Sequence, residues 1–323
     1  MGMDIRLKNI TINKSNGEVG IFSKTNGATI KNLVVIDANV NVTGNNNQVG
    51  ILVGQMRGGV IEQCAIIGGS VYGHEHIGSV VGNIGASGVV RNCYSTAIVN
   101  GSAWVGGIVG LTDRSGTNII EKCYNTGAVT NRSNGSGGIV GRAEANPEAK
   151  PQVQNNVNLA SKIAGNNDRH RVVGVKESDA VLSNNYSLSS TLIGTNPVYS
   201  TDANSQHGAD ITANQARTQS FYAGLGWDFT ESTGVWQIDE GNAYPTLQME
   251  REQLLILVNH TGLHFKSGSS LSLAGIERAD GNTTAITFSS EDTNINISGT
   301  TVSYTGTVRL RLFPADLKPH SIF

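Results

Sequence analysis

The stretch WVGGIVG, residues 104–110, is the clearest copy of a motif that recurs along the chain. It resembles a short buried strand, except that three glycines interrupt the apolar run. Close relatives of this stretch recur along the first half of the chain, as VGILVG, IGSVVG and SGGIVG. The glycines that close the copies are Gly54, Gly82, Gly110, Gly141 and Gly174, at intervals of 28, 28, 31 and 33 residues. A period of this size is typical of stacked repeat architectures.

A second marker keeps step with the first. The copies IKNLV, IEQCA, VRNCY, IEKCY, VQNNV and LSNNY begin at Ile30, Ile61, Val90, Ile120, Val153 and Leu182. Both markers follow one period over about six copies, so the repeat extends from about residue 10 to about residue 190. The two markers also fix which residues of successive copies are equivalent.

The composition of each copy indicates strands rather than helices. Val, Ile, Thr, Asn and Gly dominate, and short apolar runs are bounded by turn residues. Parallel strands cannot be joined by hairpins, so each copy is predicted to form one coil of an all-β parallel β-helix, with rungs about 4.8 Å apart. Crossover geometry favours a right-handed helix. The motif glycines are expected at coil corners, with positive φ and close approach of neighbouring rungs.

The core residues follow from the alignment. We expect the apolar positions of both markers to point inward in every coil. The predicted core residues are Ile51, Ile61, Val90, Ile108, Ile120 and Ile139.

Composition excludes several functional classes. The net charge of −2 over 323 residues lacks the excess of positive charge that is typical of nucleic-acid-binding proteins. No apolar run approaches the ~18 residues of a membrane span, so no membrane insertion is expected. The start, MGMDIRLKNITI, lacks a signal peptide and leads almost directly into the repeat, which suggests a fragment of a longer secreted protein. We expect the fragment to be a monomer.

Stacking turns equivalent residues into columns. One column contains Lys31, Glu62, Arg91, Glu121, Gln154 and Ser183, in which charged neighbours alternate in sign. A salt-bridge ladder is favoured over a charged ligand-binding strip. The next column contains Asn32, Gln63, Asn92, Lys122, Asn155 and Asn184, which suits a corner with left-handed backbone.

All three cysteines share the following column, with Leu33 in the equivalent position of an earlier copy. Cys64, Cys93 and Cys123 are therefore predicted to be buried and reduced. Two alternatives remain open, a disulfide between adjacent rungs and a reactive thiol. No Cys/His spacing typical of a metal site is present, so no metal is predicted.

The candidate binding residues are Tyr94, Tyr124 and Tyr186. They share one column with Val34, Ala65 and Val157. If the rings face outward, Tyr94 and Tyr124 form a small stacked platform that can receive a sugar ring. If the rings face inward, they belong to the core, and spacing alone leaves both possibilities open.

A search for catalytic motifs yields no candidate residues. HEH at 74–76 has Gly78 where a zinc-protease motif needs its second histidine. TDANSQHGAD at 201–210 resembles a calcium loop, but its glycine stands one place late and the distal glutamate is missing. The glycine clusters lack the G-K-[ST] of a phosphate loop. We therefore predict no catalytic residues, no metal and no cofactor.

The sequence changes character after the repeat, and three domains are expected. Residues 1–190 form the solenoid. Residues 191–250 form a segment that closes its end, with a helix at 211–223 capped by Thr212 and with the bulky residues Trp227, Phe229, Trp236 and Tyr244. Residues 251–323 carry short alternating strands that suggest a small β-sandwich.

The motifs resemble those of known bacterial proteins. The GIVG cores at 107–110 and 138–141, with IEKCYNTGAV at 120–129, resemble the GLUG-motif repeats of bacterial surface proteins, and residues 224–247 are similar to the segment that commonly ends such arrays. ITFSSEDTNINISGTTVSYTGTVRL at 286–310 resembles a bacterial Ig-like domain. Residues 51–54 and 79–82 depart from the pattern because they lack its opening glycine.

The resemblance implies an adhesin-like protein that is secreted or held at the bacterial surface. Some family members also carry metallopeptidase domains that cleave immunoglobulin A, but their catalytic motif has no counterpart in this sequence. We therefore expect a non-catalytic module that binds a glycan, a host protein or another surface protein. The alternative is a carbohydrate-active β-helix enzyme, a lyase or glycosidase, which rests on fold analogy. Such an enzyme needs converging carboxylates, whereas Arg91 separates the aligned acids Glu62 and Glu121.

Overall fold

The structure of the 323-residue chain is a computed structural model. It describes residues 5–45, 47–231 and 233–252, together with short strands in the region 270–314. The chain divides into two compact units, Met1–Glu250 and Arg251–Phe323. Among the described residues, no helix has the length and apolar character needed to span a bilayer.

The first unit is an all-β parallel solenoid of about six coils, as predicted, built from three sheets. Sheet 1 contains Ile5–Lys8, Thr29–Ile36, Val60–Ile67, Val89–Arg91, Tyr94–Ser95, Ile119–Glu121, Tyr124–Asn125, Gln152–Gln154, Val157–Asn158, Val181–Ser183, Tyr186–Leu188 and Ala209–Ile211. Sheet 2 contains Thr11–Lys14, Glu18–Val19, Asn39–Val42, Gln48–Gly50, Ser70–Tyr72, Glu75–Gly78, Ile98–Gly106, Val129–Gly137, Lys162–Ala164, Asn167–His170, Leu192–Ile193 and Asn196–Pro197. Sheet 3 contains Phe22–Asn26, Val53–Arg57, Val81–Gly85, Val109–Thr112, Val140–Ala143 and Val173–Lys176. The handedness of the coil stays a prediction.

The register of the strands confirms the sequence alignment. Ile30 lies beside Ile61, Ile61 beside Val90, and Val90 beside Ile120 in successive rungs. The six predicted core residues, Ile51, Ile61, Val90, Ile108, Ile120 and Ile139, are all buried in one apolar cluster. Equivalent apolar side chains therefore stack along the axis, and each coil shields the core of its neighbours.

The amide column forms the predicted left-handed corner. The φ angles of Asn32, Gln63, Asn92, Lys122, Asn155 and Asn184 all lie between 51° and 56°. From the coil of Asn92 onward the corner separates two strands of sheet 1, such as Val89–Arg91 and Tyr94–Ser95, whereas Asn32 and Gln63 lie within single strands. Asn tolerates this conformation better than most residues, which explains why the column is rich in amides.

The prediction for the motif glycines is wrong in one respect. Gly106 and Gly110 do not have positive φ, so backbone conformation does not require glycine there. Glycine is required there because neighbouring backbone atoms approach too closely to leave room for a Cβ atom. A Cβ atom at Gly106 would lie 2.7 Å from the backbone nitrogen of Gly141 and nearer still to the carbonyl oxygen of Val109. The glycines allow the strands of sheets 2 and 3 to pack backbone against backbone at the turn that joins them.

The charged column holds the predicted register but forms a single close ion pair among the described residues. The Arg91 guanidinium contacts the Glu62 carboxylate at 2.7 Å, and Gln154 donates a hydrogen bond of 3.0 Å to Glu121. With 43% of the Arg91 side chain exposed, this pair contributes little to stability. The column is structural, without a continuous ladder.

The three cysteines are buried and free, as predicted. Each thiol points into the core and lies near a carbonyl oxygen of the preceding coil, at 3.9 Å for Cys64 and at 3.8 Å for Cys93 and Cys123. Burial raises the pKa of the Cys93 thiol, and the neighbouring Cys93 thiol together with burial raises that of Cys64. The Cys64 and Cys93 thiols therefore remain protonated and unreactive.

We expect a thiol reagent to leave all three cysteines unmodified in the native protein and to label them all after unfolding. All three thiols are fully buried, so a reagent reaches them only when the fold opens. The measurement is the number of thiols labelled over time with and without denaturant. Rapid labelling of all three in the native state would contradict the buried column.

Residues 212–250, which we call the flanking segment, do not close the solenoid end as predicted. Instead they run back along the outer side of sheet 1, from Tyr186, which Phe221 contacts, to Arg6, which donates a hydrogen bond to the Glu250 carbonyl. The end itself is completed by residues 203–206, whose carbonyls accept hydrogen bonds from the last rungs. The outward column of sheet 1 is apolar in the middle coils, and the flanking segment shields it from water.

The predicted helix at 211–223 is shorter than expected and divided in two. A 3-10 turn at Gln215–Arg217 precedes an α-helix at Gln219–Gly224, and a second 3-10 turn lies at Gln248–Glu252. The side chains of Thr212 and Gln215 each accept a hydrogen bond from the backbone N–H of the other, as in a capping box. The predicted cap at Thr212 is nevertheless wrong, because the 3-10 turn has Asn214 as its N-cap and the α-helix has Thr218. Trp236–Gln237 and Thr246–Leu247 form a small antiparallel pair.

The second unit contains antiparallel strands. Ser270–Ser272 and Ile295–Ser298 flank Thr301–Tyr304, and Phe288–Ser289 pairs with Phe313–Pro314. Most of the predicted β-sandwich at 251–323 lies outside the described residues, so the sandwich and its Ig-like resemblance stay predictions.

Candidate functional site

The predicted tyrosine platform exists as a stack. The rings of Tyr94 and Tyr124 lie 4.8 Å apart and within 2° of parallel, because their strands are directly paired in sheet 1. Both side chains belong to the apolar cluster on the outer side of the coil, while Cys93 and Cys123 beside them face the core. The outward orientation that a binding role requires is therefore present.

The platform is nevertheless covered, which corrects the predicted binding role. Tyr94 is 3% exposed and Tyr124 is 2% exposed, since Trp227 and Trp236 of the flanking segment pack over them. Tyr186 is half-buried and meets the edge of Phe221. The three tyrosines bind the chain's own flanking segment and do not present a surface to a sugar.

Polar contacts fix the covering segment in place. The Tyr94 hydroxyl donates to the Glu250 carboxylate at 2.8 Å, and the Tyr124 hydroxyl donates to the Pro245 carbonyl at 2.6 Å. Burial raises the pKa of both phenols and that of the Glu250 carboxyl. The phenols are thus neutral hydrogen-bond donors, and their role is structural.

The other sequence features give no metal site. Within the part of the chain that the structure describes, no three His, Cys, Asp or Glu side chains converge to hold an ion. Asp210, at the end of the calcium-like loop, instead pairs at 2.6 Å with Arg171, which is fully buried. The Nδ1 atom of His74 lies 3.5 Å from the Glu75 carboxylate.

One feature that the sequence did not reveal contains Trp104, the first residue of the stretch WVGGIVG. The ring of Trp104 stacks on His76 of the preceding coil, with centroids 4.9 Å apart and planes at 14°. On the other side, the Arg142 guanidinium lies 5.1 Å from the Trp104 ring centroid. Three successive coils therefore contribute one side chain each to an aromatic and cationic stack.

These residues occupy a second left-handed column, inside the strands of sheet 2 and two residues before each strand ends. His76 has φ 51° and Trp104 has φ 52°, and Gly135 and Asp168 continue the column with φ 70° and 50°. Left-handed backbone is unfavourable for a residue as bulky as Trp and is concentrated at functional sites. Gly135 is the residue that the conformation itself would select.

Arg142 is also held by an ion-pair network on sheet 3. Its terminal nitrogen contacts Glu177 at 2.8 Å and Glu144 at 3.2 Å, while Arg114 contacts Glu177 at 2.6 Å. The Arg114 hydrogen bond, with further help from Arg142, lowers the pKa of Glu177 to about 2. Glu177 is therefore ionised throughout the physiological range, and the network orients Arg142 towards Trp104.

Several polar atoms around the stack lack hydrogen-bond partners within the described residues. They are Gln48 Oε1, His76 Nδ1, Asn83 Oδ1, Trp104 Nε1 and Arg142 Nε. Gln48 precedes Trp104 by two rungs in the same column, with His76 between them. Asn83 precedes Arg142 by two rungs in the adjoining column of sheet 3, with Leu111 between them. We call these five residues the corner strip.

The two columns lie side by side along the solenoid axis. Strand Ile98–Gly106, which carries Trp104, packs against strand Val140–Ala143, which carries Arg142. Burial lowers the pKa of His76 to about 4, with a further contribution from the positive charge of Arg142. At neutral pH, His76 is thus uncharged, with one ring nitrogen that donates and one that accepts.

The chain is similar in fold to a Bacteroides ovatus protein. That crystal structure, named as a "putative immunoglobulin A1 protease", matches with a TM-score of 0.60 and 23% identity, over 76% of this chain and 75% of the other. At this identity the likeness supports the β-helix fold alone. No protein-family model and no curated protein matches the sequence.

Proposed function

We propose that the protein is a non-catalytic binding and scaffolding module of a bacterial surface protein, secreted or held at the cell surface. The observation that carries the proposal is the corner strip, whose aromatic and polar side chains are half-buried apart from the buried Asn83. Five of its buried hydrogen-bonding atoms lack partners within the described residues. Resemblance to GLUG-repeat proteins supports the localisation and the adhesin-like role.

The carboxylates near the corner strip favour binding over hydrolysis. Glu144 and Glu177 converge from different coils, but both contact Arg142 and Arg114. A general acid needs a pKa near the working pH, and the lowered pKa of Glu177 is far from it. The alternative of a polysaccharide lyase or glycosidase therefore has less support, although β-helices host such enzymes.

The name of the Bacteroides ovatus protein suggests proteolysis as a further alternative. The residues of this chain do not favour it, because Gly78 stands in place of the second histidine of a zinc-protease motif. A protease reaction is nevertheless included in the test of function.

The full 323-residue chain is expected to bind immobilised oligosaccharides or a surface protein saturably and without turnover. The measurement is a glycan array, followed by titration of the strongest oligosaccharide and chromatography of that ligand after long incubation. Immunoglobulin A1 is incubated in parallel and is expected to remain intact. Shortened oligosaccharide or cleaved heavy chain would overturn the non-catalytic function.

A further inference from the structure

We propose that the corner strip is a carbohydrate-binding site that takes a neutral glycan segment of about two sugar units. The proposal rests on the proposed binding function and deepens it, since it names both the ligand class and the surface. It also moves the site away from Tyr94 and Tyr124, which the flanking segment covers.

The hydrogen-bonding groups of the corner strip suit hydroxyls. Trp104 Nε1 and Arg142 Nε carry donors, whereas Gln48 Oε1 and Asn83 Oδ1 are acceptors, and all lack partners within the described residues. Sugar hydroxyls donate and accept at once, so adjacent hydroxyls can satisfy this mixture. Buried polar groups without partners cost free energy, and a ligand that satisfies them recovers it.

Asn83 shows most directly that a partner is missing. Its side chain is 5% exposed, its Oδ1 has no partner, and it stands on sheet 3 where the next coil carries the apolar Leu111. If packing alone mattered, an apolar residue such as leucine would be expected at this position, and the next coil has Leu111 there. The amide is therefore best explained by a polar ligand group.

The dimensions of the corner strip limit the size of the ligand. Two rungs separate Asn83 from Arg142, which is about 10 Å at the usual strand spacing. Gln48 and Trp104 are separated by the same distance in the adjoining column. Two sugar rings span about this length.

The charges of the corner strip favour a neutral ligand over an anion. The terminal nitrogen of Arg142 already contacts Glu144 and Glu177, and His76 is uncharged at neutral pH. An acidic sugar would compete with two carboxylates for the same guanidinium. A carboxylate placed against Gln48 Oε1 or Asn83 Oδ1 would also leave that acceptor without a donor, whereas a hydroxyl supplies one.

Asn83→Leu separates binding from folding. The substitution copies Leu111 and removes the unpartnered carbonyl, so the melting temperature is expected to rise or stay unchanged. Loss of one hydrogen bond to the glycan is expected to weaken binding roughly ten-fold. Weaker binding by a protein that is no less stable cannot be attributed to misfolding.

Trp104→Gly tests the aromatic part of the site. Gly135 occupies the same column with φ 70°, so glycine accepts this backbone without strain. We expect the solenoid to remain folded and glycan binding to fall below detection. Arg132→Ala is the matched control, because it removes an exposed cation–π contact with Tyr72 elsewhere on the solenoid and is expected to bind as the parent does.

Each outcome bears on one proposal or the other. Unchanged binding of the array oligosaccharide by both folded variants would overturn the site, while the binding function would stand. Binding of a surface protein and of no glycan would do the same. Preference for anionic over neutral oligosaccharides would overturn the ligand class. Cleavage of the bound glycan would overturn the non-catalytic function but not the location of the site.

Discussion

Replacing Gly110 with alanine is expected to destabilise the first unit by at least about 3 kcal/mol. A Cβ atom there would meet three backbone atoms, namely the His76 carbonyl carbon, the Ile77 nitrogen and the Gly82 oxygen, all nearer than real Cβ contacts allow. Backbone atoms of paired strands cannot move aside as a flexible side chain can. Chemical denaturation followed by circular dichroism measures the loss.

Gly224→Ala is the matched control. Gly224 lies at the end of the short α-helix, and an added Cβ would meet no atom within 4 Å. Its stability is expected to remain within about 0.5 kcal/mol of the parent protein or to increase slightly. Equal stabilities of the Gly110 and Gly224 variants would show that close approach is not what requires glycine in the motif.

The sequence predicts the solenoid well because repetition constrains it many times over. Two markers in step over about six copies fix the register, and the structure pairs Val90 with Ile61 and Ile120 as the alignment requires. The left-handed corner was predictable for the same reason. One Asn among six corner residues would carry little information, whereas a column rich in amides indicates a shared backbone conformation.

Contacts outside the repeat left no comparable signal. Trp236 donates a hydrogen bond to Asn92, although 144 residues separate them in the sequence. Nothing periodic connects the two positions, so the path of the flanking segment could not be predicted. The tyrosine stack was therefore identified correctly as a stack, but its covering was not foreseen.

The corner strip was missed because its columns do not share a chemistry. The members of the sheet 2 column occupy equivalent positions in five coils but share no side-chain chemistry. All except Gln48 share a left-handed backbone; the column is Gln48, His76, Trp104, Gly135 and Asp168. The available signal was a bulky residue directly before a glycine-rich turn in one copy. The corner strip also includes residues of a sheet 3 column, and the sequence alignment does not show that this column lies beside the column of Trp104.

Replacing Trp236 with alanine is expected to destabilise the first unit by about 3–5 kcal/mol. Trp236 is fully buried at the centre of the aromatic cluster, with its ring 4.5 Å from Trp227 and 6.0 Å from Tyr124. Alanine would leave a cavity between the flanking segment and sheet 1. For a unit of this size, the melting temperature is expected to fall by roughly 10 °C.

The same substitution should loosen the flanking segment before it affects the solenoid. The coils are held by their own backbone ladders and by a separate apolar core, whereas Trp236 belongs to the outer cluster. Hydrogen exchange in the Trp236→Ala variant is therefore expected to rise first in residues 212–250, while the strands of sheet 3 keep their protection. Tyr199→Ala is the control, since Tyr199 is 72% exposed and its loss should change neither measurement. A uniform loss of protection over the whole solenoid would mean that the flanking segment and the coils unfold as one unit.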